Sequence, residues 1–68
     1  MNDAETYLNL GTAYGMMGQN EKAIVQFEKS VQLDPQNKTA WRNLSVAYGA
    51  VGNAARAQEC AKKADSLK

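Results

Sequence analysis

The chain has 68 residues, of which 44% are hydrophobic, and this is enough for one small domain with little surplus stability. Its eight basic and seven acidic residues are interspersed and leave a net charge of +1, which indicates neither a nucleic-acid footprint nor a polybasic membrane anchor. The single cysteine, Cys60, excludes an internal disulfide, and the absence of histidine removes the commonest metal ligand.

Membrane insertion and secretion are not indicated either. No apolar run approaches the ~18 residues that a membrane span needs. The polar, acidic start MNDAETYLNL is unlike a signal peptide. We therefore expect a soluble protein of the cytoplasm.

The first predicted element is a helix with Asp3 as its N-cap. Its apolar residues recur at helical spacing; they are Tyr7, Leu10, Ala13, Tyr14 and Met17. We expect this helix to end at Gly18, a glycine suited to a left-handed cap.

A second helix is predicted to follow, with Asn20 as its candidate N-cap. Its apolar series consists of Ala23, Ile24, Phe27, Val31 and Leu33. Asp34 and Pro35 end this helix, because proline disfavours helical geometry in the residue before it.

The remaining sequence repeats this plan. Asn37 is the predicted N-cap of a third helix, and Gly52 and Asn53 form a turn before a fourth helix over residues 54–67. The apolar stripe of the third helix consists of Trp41, Leu44, Ala47, Tyr48 and Val51. Since short turns make neighbouring helices antiparallel, we predict an all-α fold of two stacked antiparallel helix-turn-helix hairpins.

The two halves of the chain are copies of one unit. Residues 35–68 align under residues 1–34 without gaps, and nine of the 34 positions are identical. The identical positions, numbered in the first half, are Asn9, Leu10, Ala13, Tyr14, Gly15, Gly18, Ala23, Lys29 and Leu33. We therefore expect a single domain, 1–68, made of unit one (1–34) and unit two (35–68).

The spacing of large and small residues within each unit follows one pattern. Unit one contains Tyr7-x2-Leu10-Gly11-x2-Tyr14, then Ala23-x3-Phe27 and Pro35. Unit two contains Trp41-x2-Leu44-Ser45-x2-Tyr48 and Ala57-x3-Ala61. The pattern resembles the tetratricopeptide repeat, whose signature is W-x2-L-G-x2-Y, A-x3-F and P. Unit two departs from it at Ser45 and Ala61 and by the missing final proline.

The glycine-rich stretch GTAYGMMG at residues 11–18 raises the alternative of a phosphate-binding loop. Such loops follow a strand and open a helix, with glycine spacings that this stretch does not have. It also recurs as SVAYGAVG at residues 45–52. We interpret Gly11 as a packing glycine between two helices, and we expect no nucleotide and no other cofactor.

Catalysis is not indicated. Without histidine the usual general base is missing, and Cys60 has no partner to activate it. Because Cys60 corresponds to the polar Gln26 of unit one, we expect it on the surface. The chain is therefore predicted to be no enzyme and to hold no metal.

The resemblance implies a concave groove, lined by the first helix of each unit, that holds an extended peptide or a partner helix. Carried over by alignment, the groove residues of unit one are Glu5, Leu8, Asn9, Thr12, Gly15 and Met16. Those of unit two are Thr39, Arg42, Asn43, Val46, Gly49 and Ala50.

Two kinds of groove residue suggest specific roles. Asn9 and Asn43 carry amides that can both donate to and accept from a peptide main chain, although asparagine is also simply common at this position of the family. Gly15 and Gly49 leave bare backbone that a ligand could approach closely, unless they only mark fraying helix ends.

The two ends of the repeat pair differ. The second helix of unit one carries Ile24, Phe27 and Val31 on the face that meets the next unit, whereas the equivalent residues of unit two are Gln58, Ala61 and Asp65. Because a polar outer face suits a terminal repeat, we expect the array to end at residue 68. The N-terminal end is less guarded, with Leu8, Met16 and Met17 near an uncovered first helix.

These observations predict a protein–protein interaction module that binds a protein or peptide of unknown identity. Because stacked repeats usually need three or more units, a marginal monomer, a piece of a longer array and a self-associating scaffold all stay open. Self-association, by face-to-face packing or by helix exchange with residues 34–37 as hinge, is the alternative function.

Overall fold

Four helices form the fold of the computed structural model, which describes residues 3–67. They are α1 (Asp3–Met16), α2 (Asn20–Leu33), α3 (Lys38–Ala50) and α4 (Ala54–Ser66). Helix α1 packs along α2, α3 packs along α4, and α2 packs on α3, so that two hairpins stack on each other. The predicted all-α fold is confirmed. Within residues 3–67, no helix combines the length and the apolar composition that a membrane span requires.

Glycine and aspartate end the helices where the sequence predicts. Gly18 and Gly52 have φ values of +77° and +84°, a left-handed conformation in which a side chain would be strained. Asp34 follows α2 with φ of −140° and ψ of 83°, outside the helical region that is disfavoured before proline.

Side-chain caps begin two of the helices. The Asn37 side chain accepts a hydrogen bond from the Ala40 amide at 3.2 Å, which confirms its predicted role, and Asn53 accepts from the Arg56 amide at 3.2 Å. The prediction for Asn20 is wrong, because Asn20 is already helical and the cap is Gln19, whose side chain makes no cap hydrogen bond. Asp3 is likewise already helical in α1, so the prediction that it is the N-cap is wrong for the same reason.

The Gln19 cap can be improved by substitution. Gln19 and Asn53 are equivalent in the two units and share nearly the same backbone conformation, with φ of −93° and −95°. Asparagine reaches the amide three residues ahead, which glutamine does not do here, so Gln19→Asn is expected to raise the free energy of unfolding by ~0.5–1 kcal/mol. Urea unfolding measures the change, and Asn53→Gln is the matched control, for which we expect a similar loss.

The hydrophobic core lies where α2 meets α3 and α4. Its buried residues are Ala23, Phe27, Val31, Ala40, Leu44, Ala47 and Cys60. The half-buried residues Ile24, Trp41 and Tyr48 pack against this cluster. The apolar series predicted for α2 and α3 therefore faces the core, except at the exposed helix ends Leu33 and Val51.

The apolar stripe predicted for α1 is wrong at three positions. Leu44 of α3 is fully buried, but its equivalent Leu10 is 42% exposed and Met17 is 61% exposed. Ala13 is exposed as well. The reason is that α2 covers this face of α3, whereas no helix among residues 3–67 covers the corresponding face of α1. Helix α1 buries Ala4 and Gly11 instead.

Gly11 lies where α1 and α2 approach most closely, as predicted. A Cβ atom on Gly11 would lie 2.6 Å from Cδ1 and Cε1 of Phe27 and 3.2 Å from the carbonyl oxygen of Ala23. In unit two the equivalent Ser45 donates a hydrogen bond of 2.7 Å to the carbonyl of Ala57. Ser45 fits because the equivalent of Phe27 is the small Ala61. The departures of unit two at Ser45 and Ala61 therefore compensate each other.

Cation–π contacts join the two helices of each hairpin at equivalent positions. The Lys22 ammonium lies 5.8 Å from the ring centre of Tyr14, and the Lys29 ammonium 5.3 Å from that of Tyr7. The equivalent pairs in unit two have distances of 5.4 Å and 5.9 Å; they are Arg56 with Tyr48 and Lys63 with Trp41. Because each cation is on the second helix and each ring on the first, these contacts support helix pairing within a unit.

A polar cluster joins the two hairpins. The Tyr48 hydroxyl of α3 donates to a carboxylate oxygen of Glu28 on α2. Arg56 on α4 places Nη2 3.5 Å from Glu28 and Nη1 3.3 Å from Glu59. The hydrogen bond to Glu28 is the main reason why the pKa of Tyr48 lies above its usual value, because it stabilises the protonated hydroxyl.

Cys60 is buried, which corrects the expectation that it lies on the surface. Its side chain is 3% exposed and belongs to the core cluster. Burial raises the pKa of its thiol, because the thiolate would be desolvated. The equivalent Gln26 is itself half-buried, so this position faces inward in both units. The polar side chain of Gln26 therefore did not indicate surface exposure.

Candidate functional site: a cleft between the first helices

An open cleft of about 250 Å³ lies between α1 and α3. Eight residues line it, and they come from the C-terminal half of α1, from α2 and from the middle of α3. They are Thr12, Gly15, Met16, Asn20, Phe27, Asn43, Val46 and Ala47.

The helical repeat brings these residues together. On α1 the lining positions are 12, 15 and 16, and on α3 they are 43, 46 and 47, so each helix presents residues three and four apart on one face. The two helices use different repeat positions, because positions 43, 46 and 47 correspond to 9, 12 and 13 of unit one. The buried Phe27 of α2 completes the lining.

The cleft combines apolar walls with amide groups. Met16 and Val46 are 84% and 72% exposed, so large apolar surface borders the cleft. The amides of Asn20 and Asn43 are half-buried in its lining. The Thr12 hydroxyl donates to the Leu8 carbonyl at 2.9 Å and is therefore occupied by its own helix.

None of the eight described residues that line the cleft carries a charged side chain. Such a surface suits an uncharged apolar side chain whose main chain is held by amide hydrogen bonds. At Gly15, a Cβ atom would meet nothing within 4 Å, so the backbone there is bare on the cleft side.

The structure brings five of the predicted groove residues into the cleft. They are Thr12, Gly15, Met16, Asn43 and Val46. Six others are exposed on α1 and α3 but do not line it; they are Glu5, Asn9, Thr39, Arg42, Gly49 and Ala50. Leu8 is half-buried and packs against the core.

Asn20, Phe27 and Ala47 line the cleft without having been predicted. Phe27 and Ala47 belong to the apolar stripes, and their spacing gives no sign that one edge of each reaches an opening. Asn20 belongs to α2, and the implied groove consisted of first helices alone.

A second, smaller cleft of about 210 Å³ lies between α3 and α4. Arg42 and Asp65 lie in its lining together with Ser45, Val46, Ala61 and Ala64. The lining thus includes Ala61, the small residue at the position equivalent to Phe27. Among the residues of the described range, no group of three or more cysteine or acidic side chains is placed to hold a metal ion.

Comparison with known proteins connects this geometry to a family. The family model of the tetratricopeptide repeat matches residues 4–37. An uncharacterized protein of Methanocaldococcus jannaschii is 37% identical over 57 residues, which cover 84% of this chain and 66% of that protein. A chloroplastic tetratricopeptide repeat domain-containing protein of Arabidopsis thaliana is 44% identical over 45 residues, or 66% of this chain and 15% of that protein. The chain thus spans just under two thirds of the archaeal relative and a small part of the plant one.

Proposed function

Because the chain belongs to the tetratricopeptide repeat family, we propose that it is a non-catalytic protein–protein interaction module. Its ligand is a peptide segment or helix of a partner protein, bound in the cleft between α1 and α3. The observation that carries this proposal is an uncharged cleft that pairs the half-buried amide of Asn43 with the exposed apolar side chains of Met16 and Val46. We further propose that residues 1–68 act as one domain of two units.

Each part of the cleft has a role in this function. Met16 and Val46 contact an apolar side chain of the ligand, since burying their exposed surface is the main source of affinity that the cleft offers. Asn43 and Asn20 bind the ligand main chain, whose amides need both donors and acceptors. Asn9, the equivalent of Asn43 on α1, is exposed beside the cleft lining and contacts a longer ligand.

Alanine substitutions at Gly15 and Gly49 separate an effect on ligand binding from an effect on stability. A Cβ atom added at either glycine would meet nothing within 4 Å, so alanine fits at both and improves helix propensity. Gly15→Ala and Gly49→Ala are expected to raise the free energy of unfolding by up to ~1 kcal/mol each. We expect the double variant to bind peptide ligands more weakly, because the methyl group at Gly15, which lines the cleft, reduces the close approach of the ligand. Urea unfolding and a binding titration on the same samples measure both effects.

Peptide selection tests the proposed function. Peptides from a random displayed library are selected on the immobilised chain, and their affinities for it are compared with those for Asn9→Ala with Asn43→Ala. We expect at least ~tenfold weaker binding by this variant, which is typical of the loss of hydrogen bonds at the centre of an interface.

The matched control removes two exposed amides outside the cleft, Gln32→Ala with Gln58→Ala. Its affinity should equal that of the unchanged chain. If the selected peptides bound the asparagine variant as tightly as the unchanged chain, the proposed role of the asparagines would be wrong.

A further inference from the structure

Helix α1 and the residue after it carry an exposed stripe on a face separate from the cleft. The stripe, called the outer stripe here, consists of Thr6, Leu10, Ala13 and Met17. The equivalent positions of unit two are Ala40, Leu44, Ala47 and Val51, of which the first three are buried in the core cluster. Helix α1 thus presents the surface that α3 presents to α2, and no helix among residues 3–67 covers it.

The interface between α2 and α3 shows what covers such a surface. Phe27 and Val31 of α2 share the buried cluster with Leu44, and Ile24 packs against it. One residue after Phe27, Glu28 accepts the hydrogen bond of the Tyr48 hydroxyl and pairs with Arg56. The covering helix therefore has apolar side chains at i, i+3 and i+7 and a carboxylate at i+4.

Unit one contains the equivalent of the tyrosine–cation pair that contacts this carboxylate in unit two. Lys22 lies over the ring of Tyr14 at 5.8 Å, as Arg56 lies over Tyr48 at 5.4 Å. Among residues 3–67, however, no carboxylate accepts from the Tyr14 hydroxyl or pairs with Lys22, in contrast to the Glu28 contacts of unit two. The Tyr14 phenol and the Lys22 ammonium beside the apolar stripe form a surface that is complementary to one carboxylate.

A second copy of the chain is a poor occupant. Stacked end to end, its α4 would take the place that α2 has on α3, but the equivalents of the covering residues are Gln58, Ala61, Lys62 and Asp65. Lys62 would stand where Glu28 stands and would face Lys22, a like charge. Asp65 would replace the buried Val31 and bring a carboxylate into an apolar contact.

We propose that the outer stripe binds an amphipathic helix of a partner polypeptide. The helix carries apolar side chains at i, i+3 and i+7 and a glutamate or aspartate at i+4. The carboxylate accepts from the Tyr14 hydroxyl and pairs with Lys22, while the apolar side chains cover Leu10 and Met17. This surface is additional to the cleft and does not depend on the proposed function.

A synthetic peptide of residues 19–36, which contains the α2 pattern, is a probe available from the chain itself. It is labelled and titrated with the intact protein, and binding is followed by fluorescence anisotropy. We expect Leu10→Glu to weaken binding at least ~tenfold, because the charge would lie in the apolar contact. We expect Val25→Glu, at an exposed valine of α2 outside both the outer stripe and the cleft, to leave the affinity unchanged.

A charge reversal tests the carboxylate contact. Lys22→Glu should weaken binding of the peptide by ~2–5-fold, as expected for an exposed ion pair. A peptide with Glu28→Lys should recover that loss on the Lys22→Glu protein while binding the unchanged protein more weakly. Circular dichroism checks that each variant keeps its helices.

Three results would overturn the proposal. The first is equal binding of a peptide of residues 53–67, which carries the α4 pattern. The second is an affinity that Leu10→Glu leaves unchanged, which would place the peptide elsewhere, for example in exchange with α2. The third is a dimer in sedimentation equilibrium that Leu10→Glu dissociates, because a second copy would then occupy the outer stripe.

Discussion

Leu44→Ala is expected to lower the free energy of unfolding by ~2–5 kcal/mol, the usual cost of emptying a closed site in a core. Leu44 is fully buried and lies in the cluster that α2, α3 and α4 share. A chain of this size has a total stability of roughly 3–10 kcal/mol. The substitution therefore removes a large part of it, and urea unfolding followed by circular dichroism measures the loss.

The repeat supplies a matched control for this prediction. Leu10 is the same residue at the same position of unit one but is 42% exposed, so Leu10→Ala should cost about 1 kcal/mol or less. Equal losses from the two substitutions would contradict the account, because they would mean that the face of α1 is covered in solution as well as that of α3.

Gly11→Ala is expected to destabilise the fold by ~1–3 kcal/mol, although alanine is the better helix former. The new methyl group would lie 2.6 Å from two ring atoms of Phe27 and 3.2 Å from the Ala23 carbonyl. The ring cannot simply move aside, because Phe27 is buried in the core cluster. Chemical unfolding measures the change. Gly15→Ala on the same helix is the control, because it is expected to raise the free energy of unfolding.

A double-mutant cycle identifies the contact responsible. Phe27→Leu removes the ring atoms that the methyl group would meet, so Gly11→Ala should cost less in that background, with a coupling of at least ~0.5 kcal/mol. Additive losses would show that the destabilisation arises from another contact. The natural pair in unit two, Ser45 opposite Ala61, already combines a larger residue on the first helix with a smaller one on the second.

The sequence predicts the fold well because its signals are local. Asn37, Gly18, Gly52 and the Asp34–Pro35 pair each fix the backbone within a few residues, and the structure has helix ends at all of them. The N-cap of α2 was predicted one residue too late, at Asn20, because the actual cap, Gln19, is a weak capping residue. A cap without a side-chain hydrogen bond leaves no clear mark in the sequence.

Burial was harder to predict because it depends on which neighbour is present. Leu10 and Leu44 are identical in type and in repeat position, and only the cover that α2 provides distinguishes them. For Cys60, the polar residue at the equivalent position 26 suggested exposure, whereas both positions face inward. A repeat alignment therefore predicts where a residue lies in its helix hairpin. It predicts the burial of that residue only where the neighbouring helices are also equivalent.

The candidate site was predicted in part for a similar reason. Thr12, Gly15, Asn43 and Val46 were carried over from the resemblance to the repeat family, and they lie in the cleft. Whether Phe27 reaches the cleft depends on how the two hairpins pack against each other through α2 and α3. Local sequence patterns do not predict this tertiary packing.

The most direct test of the interaction-module proposal is a map of the bound ligand on the protein. A peptide selected on the intact chain is titrated into the isotope-labelled protein, and the amide chemical shifts are followed by two-dimensional NMR. The account predicts the largest shifts at Thr12, Gly15, Asn43 and Val46, with α4 little changed. Shifts confined to α4 or to the outer stripe, with the cleft residues unperturbed, would contradict it.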